Sequence, residues 1–504
     1  MSKFVQILLA ILSGLLLGFS WPEITEQTWL IFFALVPLYF LMHNTKKENW
    51  RSLFLYSFLS FIIWHLLSVY WMVYSTVIGS ISAWVINGFL MSSIISLSLF
   101  AKSKLKRIPI EIILSFFWLG FEIMHLFWAL SWPWMNLGNV FANKIEWIQW
   151  YEYTGIYGGG FWVITTNGLI YRVLKSLFKL QYCRASIAFS VTIVFVSIPL
   201  LLSYQLLNQK TPSTPSIEIS VLQPNIDTYT EKFNGLTPLE QSDKIIQQLS
   251  NQYTANLIIL PETAVPVNFD IRDKIYPESI SRLIKWTDDH HKVIIGGFYS
   301  KDSLNYNSAL VIEEGKIISE RHKQKLLPFG ESMPFDWFYK VFEKQIAREG
   351  GNVIGFGIDN EARVFDLESS AKIGTLICFE SAFPDITSEM VRKGAEILLV
   401  ITNDDWWRDT PGYRQHFAYS RLRAIENRRF IARSANTGIS GFIDDKGRVL
   451  QSSTFKSEAI LTEECQLNNT ITFFSKYEFA YRYFITIISL ALFFITMIKS
   501  KLKN

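Results

Sequence analysis

Cysteine and excess charge are both scarce in this chain. Its 504 residues contain 3 cysteines, 7 histidines and 48 basic against 44 acidic side chains, so the net charge is only +4. Three cysteines cannot form a disulfide framework. So small a net charge argues against a broad surface for nucleic acid. No His/Cys cluster has metal-binding spacing, and no phosphate-binding glycine motif or internal repeat occurs. We therefore expect no bound metal and no nucleic-acid partner.

Apolar residues, in contrast, are abundant. Hydrophobic residues make up 50% of the chain and aromatic residues 15%, which is high for a wholly soluble protein. Several apolar stretches approach the roughly 20 residues that are needed to cross a bilayer. These stretches lie at about 4–20, 28–43, 52–74, 82–101, 109–130, 158–176, 184–204 and 477–498. The pattern predicts a membrane α-helical bundle of about eight transmembrane helices.

The loops between these stretches predict an orientation. Every second loop is basic, and the alternate loops carry almost no basic charge, so the positive-inside rule places both termini in the cytoplasm. The basic side chains are Lys46, Lys47, Arg51, Lys102, Lys104, Lys106, Arg107, Lys175, Lys179, Arg184, Lys499, Lys501 and Lys503. We therefore expect a seven-helix bundle over 1–204, an extracytoplasmic domain over 205–475, and a last helix with a basic tail over 476–504.

The predicted extracytoplasmic domain alternates apolar runs with helical patterns. Short runs rich in Val and Ile are typical of buried strands. They cover 216–222, 257–260, 293–298, 309–312, 373–378 and 397–402. Strands that alternate with helices predict an α/β layered sheet, in which functional residues gather at strand ends.

Three residues at such positions suggest nucleophilic acyl chemistry. Cys378 ends an apolar run just before a helix-like segment, Glu262 follows the run 257–260, and Lys323 lies between them in sequence. A carboxylate can take the proton of a thiol, and a lysine together with a backbone N–H, here that of Phe379, can stabilise an oxyanion. The sequence therefore predicts Cys378 as nucleophile, Glu262 as base and Lys323 as cation.

Each of these residues also has a structural alternative. Glu262 could be a surface acid, Lys323 a solvated base, and Cys378 a buried core thiol or one half of a disulfide with Cys465. Cys183 falls on the predicted cytoplasmic side, where it has no such partner. The combination of the three, rather than any one of them, favours the functional interpretation.

Three motifs carry a resemblance to a known family. Leu260-Pro-Glu-Thr263, Lys323-Gln-Lys-Leu-Leu-Pro-Phe-Gly-Glu331 and Ile377-Cys-Phe-Glu380 resemble the signatures of the nitrilase, or carbon–nitrogen hydrolase, superfamily. With the membrane segments, Gln223-Pro-Asn-Ile226 and Ala435-Asn-Thr-Gly438, the chain more narrowly resembles the apolipoprotein N-acyltransferase family. The resemblance implies an α-β-β-α sandwich and a Glu-Lys-Cys catalytic triad.

The resemblance also implies roles for other residues. In the family pattern the catalytic lysine stands eight residues before the glutamate, which selects Lys323 over Lys325 when counted from Glu331. Glu331 and Glu380 match additional acidic positions, where each would orient the lysine, gate the site or act as a structural hydrogen-bonding partner.

Aromatic positions are implied as substrate contacts. Phe379 replaces a tyrosine that is common after the cysteine, and Phe233 stands where a tryptophan is frequent. Trp406 matches an aromatic loop residue, although its neighbour Asp405 replaces a small residue. Trp134, in a predicted outer loop, could line the lipid path. Trp134 and Trp406 could equally be interfacial anchors.

The implied reaction transfers an acyl chain from a phospholipid, through a thioester on cysteine, to the N-terminal amine of a diacylglyceryl-modified apolipoprotein. It requires no cofactor, and it implies a monomer in the bacterial inner membrane with a periplasmic catalytic domain. A membrane-tethered amidase or nitrilase acting on a small C–N substrate is the main alternative. A lipid-binding protein with an incidental thiol is a second alternative.

Overall fold

The chain divides into two compact units. The computed structural model describes residues 1–45, 49–210, 214–252, 255, 257–273, 275–289, 292–301, 304–333, 335, 340, 355–367 and 371–502. Lys46, Lys47 and Lys503, which count toward the predicted cytoplasmic charge, lie outside these ranges. The helical unit comprises Met1–Val73, Val77–Gln209 and Tyr477–Asn504, and the sheet unit comprises Tyr74–Thr76 and Lys210–Lys476.

Long apolar helices form the helical unit. They are α1 (Lys3–Ser20), α2 (Ile31–Ala34), α3 (Val36–Asn44), α4 (Trp50–Ser68), α5 (Val77–Lys104), α6 (Ile110–Met124), α7 (Tyr151–Phe178), α8 (Tyr182–Asn208) and, near the C-terminus, α13 (Phe473–Lys501). Within the described ranges, five of them are long and apolar enough to cross a membrane: α1, α4, α5, α8 and α13. The segment Thr28–Asn44 is apolar but shorter, and α6 and α7 are not among the five. The predicted membrane bundle is confirmed, but the count of eight spans is not.

Small and polar residues hold these helices together. A Cβ at Gly14 of α1 would lie 2.6 Å from the carbonyl oxygen of Ser60 on α4, so only glycine permits this approach. Asn167 of α7 donates to the carbonyl oxygen of Ile31 and accepts from the N–H of Leu35, each at 2.8 Å. The side-chain amide thereby satisfies backbone groups where the chain bends between α2 and α3.

Two six-stranded sheets form the centre of the sheet unit. The strands are β1 (Ser216–Gln223), β2 (Leu257–Ile259), β3 (Lys292–Lys301), β4 (Leu304–Glu313), β5 (Lys316–His322), β6 (Val364–Leu367), β7 (Ala371–Ile377), β8 (Ile397–Thr402), β9 (Ile431–Ala435), β10 (Gly441–Ile443), β11 (Val449–Ser452) and β12 (Ala459–Gln466). The first sheet has the order β12-β1-β2-β3-β4-β5 and the second β11-β10-β9-β8-β7-β6. Strands β1, β2 and β3 run parallel, as do β7, β8 and β9.

Alternating side chains place the core between the sheets. In β2, Leu257 and Ile259 pack with residues of the second sheet such as Ile373 and Leu399, whereas Ile258 packs on the opposite side. This alternation follows from the two-residue period of a strand. Both faces of β2 are therefore buried, which explains why it reads as a continuous apolar run.

Helices cover the outer faces of both sheets. The helices α9 (Pro238–Gln252) and α10 (Glu278–Trp286) pack on the first sheet, through Ile245 and Leu283 among others. The helices α11 (Pro384–Arg392) and α12 (Pro411–Asn427) follow β7 and β8 in the chain, and Met390 of α11 lies against Gly374 of β7. This arrangement confirms the predicted α-β-β-α sandwich.

Candidate active site

Cys378 occupies a sharp elbow at the carboxyl end of β7. The strand ends at Ile377, and a 3-10 turn over Cys378–Ala382 leads into α11. Cys378 has a φ of 50°, a left-handed conformation that is unfavourable for a residue with a Cβ. Its carbonyl oxygen is held by the hydroxyl of Ser381 at 2.9 Å and lies 3.1 Å from Nε2 of His416. The thiol is therefore presented, half-buried, by a backbone that side chains constrain.

A second network supports this elbow from beneath. His416 Nε2 lies 2.7 Å from Ser381 Oγ, and its Nδ1 lies 2.8 Å from Asp404 Oδ1. Arg433 Nη2 donates to the other oxygen of Asp404 at 2.7 Å. Burial would raise the pKa of Asp404, but Arg433 and His416 outweigh burial and lower the pKa to about 2. Asp404 is therefore an ionised anchor for His416.

Glu262 follows β2 at the carboxyl end of the first sheet. Its Oε1 accepts from Asn307 Nδ2 at 2.7 Å and from Lys323 Nζ at 3.2 Å. Its Oε2 accepts from the backbone N–H of Asn403 at 3.1 Å. A Cβ at Gly296 of β3 would lie 2.7 Å from the Glu262 Cα, so glycine makes room for the carboxylate's backbone.

Lys323 lies just beyond β5 and is almost fully buried. Its Nζ lies 2.8 Å from Glu331 Oε1 and 3.2 Å from Glu262 Oε1, while Asn307 Nδ2 donates to both carboxylates. Burial would lower the pKa of Lys323, but the two carboxylates outweigh burial and raise it above its ordinary value. The amine therefore stays protonated throughout the physiological pH range.

Lys325, the other amine of this motif, contacts an aromatic ring rather than Glu262 or Glu331. Its Nζ stands over the ring of Phe383, 5.5 Å from the centroid. The family spacing pointed to Lys323, and it is Lys323 that shares hydrogen bonds with Glu262 and Glu331.

The charges around Cys378 favour its neutral form in the resting site. Burial raises the pKa of the thiol well above its ordinary value, Glu262 raises it further, and Lys323 opposes the two. A neutral thiol is a weak nucleophile. Attack on an acyl group therefore requires a base to take the thiol proton, and Glu262 is the carboxylate whose charge acts most strongly on it.

Glu380 and Phe379 shape the elbow. The carboxylate of Glu380 forms a two-bond fork with Arg321 at 2.8 and 2.9 Å and also accepts from the N–H groups of Ile377 and Gln324. The sequence left several roles open for Glu331 and Glu380. Glu380 forms the hydrogen bonds of a structural partner, whereas Glu331 contacts Lys323. Phe379 is buried and packs edge-on against Phe383, with ring centroids 5.1 Å apart.

The predicted aromatic contacts separate into two groups. Phe233 and Trp406 stack with centroids 5.9 Å apart, and Tyr229 meets Trp406 edge-on at the same separation. All three rings are partly exposed on the sheet unit. Trp134 belongs to the helical unit, where it is fully buried and stacks on Trp132. Its predicted substrate contact stays a prediction.

Cys465 lies on β12 in the core between the sheets. Cys183, Cys378 and Cys465 are all free thiols, so the alternative disulfide between Cys378 and Cys465 is not formed. In the described part of the chain, no group of three or more His, Cys, Asp or Glu side chains is arranged to hold a metal ion.

Sequence reasoning missed several residues of the site. Asn307, His416, Arg321 and Arg433 were not singled out. Asn307 and Arg433 are buried polar residues of strands β4 and β9, and a buried polar side chain generally has a specific partner. A polar residue in a segment that pairs into a sheet is the one signal, and a weak one, that could have found them.

This geometry and the sequence comparisons agree on a class. The family profile described as Carbon-nitrogen hydrolase matches residues 219–473. A profile described as Apolipoprotein N-acyltransferase N-terminal domain matches residues 13–169. The chain is therefore a member of the carbon–nitrogen hydrolase superfamily. Its two-sheet sandwich presents a thiol at a strand end together with a carboxylate–lysine pair.

Curated relatives narrow the class further. Apolipoprotein N-acyltransferase of Chlorobaculum tepidum is 30% identical over 93% of this chain and 92% of its own length. The proteins of the same name from Geobacter metallireducens and Thermotoga maritima are 27% and 26% identical, covering 93% and 99% of this chain and 91% and 95% of their own lengths. The chain belongs to the apolipoprotein N-acyltransferase family. A solved Saccharomyces cerevisiae member of the nitrilase superfamily has a TM-score of 0.38 and 18% identity, covering 51% of this chain and 92% of its own.

Proposed function

We propose that this protein transfers an acyl chain from a membrane phospholipid to the N-terminal amine of a diacylglyceryl-modified apolipoprotein. The observation that carries the proposal is the buried cluster of Glu262, Lys323 and Glu331 acting on Cys378, in a chain of the apolipoprotein N-acyltransferase family. The reaction proceeds through an acyl thioester on Cys378. It needs no metal or organic cofactor.

The first half-reaction forms the thioester. Glu262 takes the proton of Cys378, whose sulfur attacks the ester carbonyl carbon of the phospholipid. The Lys323 ammonium and the N–H of Phe379 stabilise the oxyanion that forms on the carbonyl oxygen. The carbon–oxygen bond of the ester then breaks, and Glu262 returns the proton to the departing oxygen, which releases lysophospholipid.

The second half-reaction uses the same groups in reverse. The neutral α-amine of the apolipoprotein attacks the thioester carbon, and Glu262 takes one proton from the attacking nitrogen. The carbon–sulfur bond then breaks, and Glu262 passes this proton to the sulfur of Cys378. Glu331 keeps Lys323 directed at the site, since its Oε1 lies 2.8 Å from Nζ and its Oε2 is fixed by the N–H of Leu327. The stacked rings of Phe233 and Trp406 serve as the apolar surface for substrate.

The proposed location is the bacterial inner membrane. The basic loops favour a topology with both termini in the cytoplasm and residues 205–475 in the periplasm, between the helical segments 1–204 and 476–504. Phospholipid and the lipid-modified apolipoprotein are both membrane-bound substrates, which suits a catalytic domain joined to apolar helices. We expect the protein to act as a monomer.

Intact-protein mass spectrometry after incubation with phospholipid tests this proposal. Wild type should gain the mass of one acyl chain, hydroxylamine should remove it, and Cys378→Ala should show no gain. Cys183→Ser, which removes an exposed thiol instead, should be acylated like wild type. An unmodified wild type that hydrolyses small amides would overturn the lipid assignment in favour of the tethered amidase.

A further inference from the structure

Lys232 is a buried amine that the mechanism above does not use. It ends the short turn Thr228–Lys232, is 1% exposed, and its Nζ has no hydrogen-bond partner among the residues that the structure describes. Lysine is almost never fully buried unless it is paired. A buried amine without a partner indicates a group that meets something besides this chain.

The turn that carries Lys232 is linked by hydrogen bonds, through Asn403, to Glu262, the base of the proposed mechanism. The N–H of Thr228 donates to Asp405 Oδ2 at 2.7 Å, and the side chains of Thr228 and Asn403 are hydrogen-bonded at 3.1 Å. The N–H of Asn403 in turn donates to Glu262 Oε2. Lys323 binds the other oxygen of Glu262, so the carboxylate is linked to Lys323 through Oε1 and to the Lys232 turn through Oε2.

Burial outweighs the charges around Lys232, so its amine can lose its proton near neutral pH. Burial lowers the pKa of Lys232 to about 7, although the charges of Glu262 and Asp405 act to raise it. Two carboxylates of this region are engaged elsewhere. Asp405 Oδ1 lies 3.5 Å from Lys456 Nζ, and Glu231 Oε2 accepts from the N–H of Asp227. Lys232 therefore differs from Lys323, whose two carboxylates keep it protonated.

The proposed second half-reaction leaves one proton without an acceptor. An α-amino group has a pKa of about 8, so the apolipoprotein presents mostly an ammonium ion at neutral pH. Conversion of this ammonium to an amide N–H removes two protons, and the departing Cys378 sulfur takes up only one. Glu262 can carry that proton, but the other requires a second base.

We propose that Lys232, as a free amine, accepts the first proton of the apolipoprotein α-ammonium and so generates the neutral amine that attacks the thioester. Glu262 then takes the second proton from the tetrahedral intermediate and delivers it to the sulfur of Cys378. Lys232 finally loses its proton to water, which accounts for the one proton that the overall reaction releases. This assignment rests on the proposed function and adds a catalytic residue to it.

Separate measurement of the two half-reactions tests this role. Thioester formation and its single-turnover aminolysis by a diacylglyceryl-cysteine peptide would be followed from pH 6 to 9 in wild type, Lys232→Arg and Lys232→Met. Lys372→Arg and Lys372→Met, at an exposed lysine, are the matched controls. Both Lys232 variants should form the thioester within about twofold of wild type. In both variants the aminolysis rate should fall about tenfold per pH unit below pH 8, because only the peptide whose α-amine is already neutral can then react.

A second acceptor and the arginine variant sharpen the test. Hydroxylamine, which is already uncharged at neutral pH, should cleave the thioester equally fast in all variants. Arginine keeps the charge but cannot accept a proton, so normal aminolysis in Lys232→Arg would show a charge-binding role and overturn the proposal. Loss of both half-reactions in both variants would show a structural role and overturn it as well. Failure of wild type to form a thioester would instead refute the proposed function.

Discussion

Arg321 and Lys323 lie two residues apart at the end of β5, and each meets buried carboxylates in a different way. Arg321 forms a two-bond fork with Glu380, and both side chains are fully buried. Because β5 belongs to the first sheet and Glu380 follows β7 of the second, this pair joins the two sheets beside the Cys378 elbow. A rigid guanidinium suits that purpose, since its planar fork fixes geometry.

Lys323 offers a single ammonium to two carboxylates. Its partners Glu262 and Glu331 are joined through Asn307, and the charges of Glu262 and Lys323 both act on Cys378. A compact ammonium supplies charge to a reacting centre without fixing one planar geometry. Two neighbouring buried ion pairs therefore differ in role: the Arg321–Glu380 pair holds the elbow, and the Lys323 ammonium would serve the proposed chemistry.

The largest effect should come from removing the base while keeping its shape. Glu262→Gln should slow thioester formation by about 10³-fold, since a positioned general base contributes roughly 10²–10⁴-fold. The amide oxygen can still accept from Lys323, but the amide nitrogen then faces the N–H of Asn403, so the free energy of unfolding should fall by about 1–3 kcal/mol as well. Acyl-enzyme formation followed by mass spectrometry measures the rate. A loss of less than tenfold would show that another group takes the thiol proton.

Breaking the Arg321 pair should affect stability instead. Arg321→Met leaves Glu380 as an unpaired buried charge, which should lower the free energy of unfolding by about 3–5 kcal/mol. Denaturant unfolding in detergent, monitored on the sheet unit, measures this. Arg363→Met, which removes a half-exposed arginine, should stay within about 0.5 kcal/mol of wild type. Equal losses in both variants would show that the buried Arg321 fork contributes no more to stability than an exposed arginine does.

A third buried cluster, Asp404 with Arg433 and His416, should reveal its structural role in the pH dependence of stability. The pKa of Asp404 is lowered from 3.8 to about 2 in the folded protein, so its contribution is complete above pH 4 and disappears as pH falls toward 2. At 1.36 kcal/mol per pH unit, that contribution is about 2 kcal/mol. Acid unfolding curves of wild type and Asp404→Asn should therefore converge at low pH. Parallel curves would contradict this assignment.

The smallest effect should be that of Lys325. Lys325→Met removes an ammonium that stands over Phe383, a contact worth about 0.5–1 kcal/mol at a partly exposed position. Thioester formation should change by less than about threefold, whereas Lys323→Met should slow it by about 10²–10³-fold through loss of an oxyanion donor. If the two variants lost activity equally, the choice of Lys323 over Lys325 would fail.

Several features of the fold could be predicted because they depend on local pattern. Apolar runs of nearly membrane length predicted the helical bundle, and short Val- and Ile-rich runs predicted the buried strands. The elbow at Cys378 could be placed because a strand signal stops there and a helix signal follows within a few residues. The strand ends at Ile377, one residue earlier than the apolar run suggests, because Cys378 adopts a positive φ.

Other features could not be predicted because they depend on distant parts of the chain. Asn307 bridges Glu262 and Glu331 from a strand that carries several polar residues, and nothing local distinguishes Asn307 from Asn305 or Ser308. His416 and Asp404 reach the Cys378 elbow from segments that follow it in sequence. Nothing in the composition of these segments specifies which buried polar groups will meet.

Periodicity, motif spacing and side-chain chemistry were enough to predict the layered class of the fold, the membrane character, and a carboxylate, an amine and a thiol at strand ends. Three outcomes depended on the folded chain: Lys323 rather than Lys325 meets Glu262, Glu380 pairs with Arg321, and Lys232 is buried with no hydrogen-bond partner among the described residues. Those outcomes depend on how two sheets and their connecting turns pack, since burial and pairing are properties of the neighbours that packing brings together.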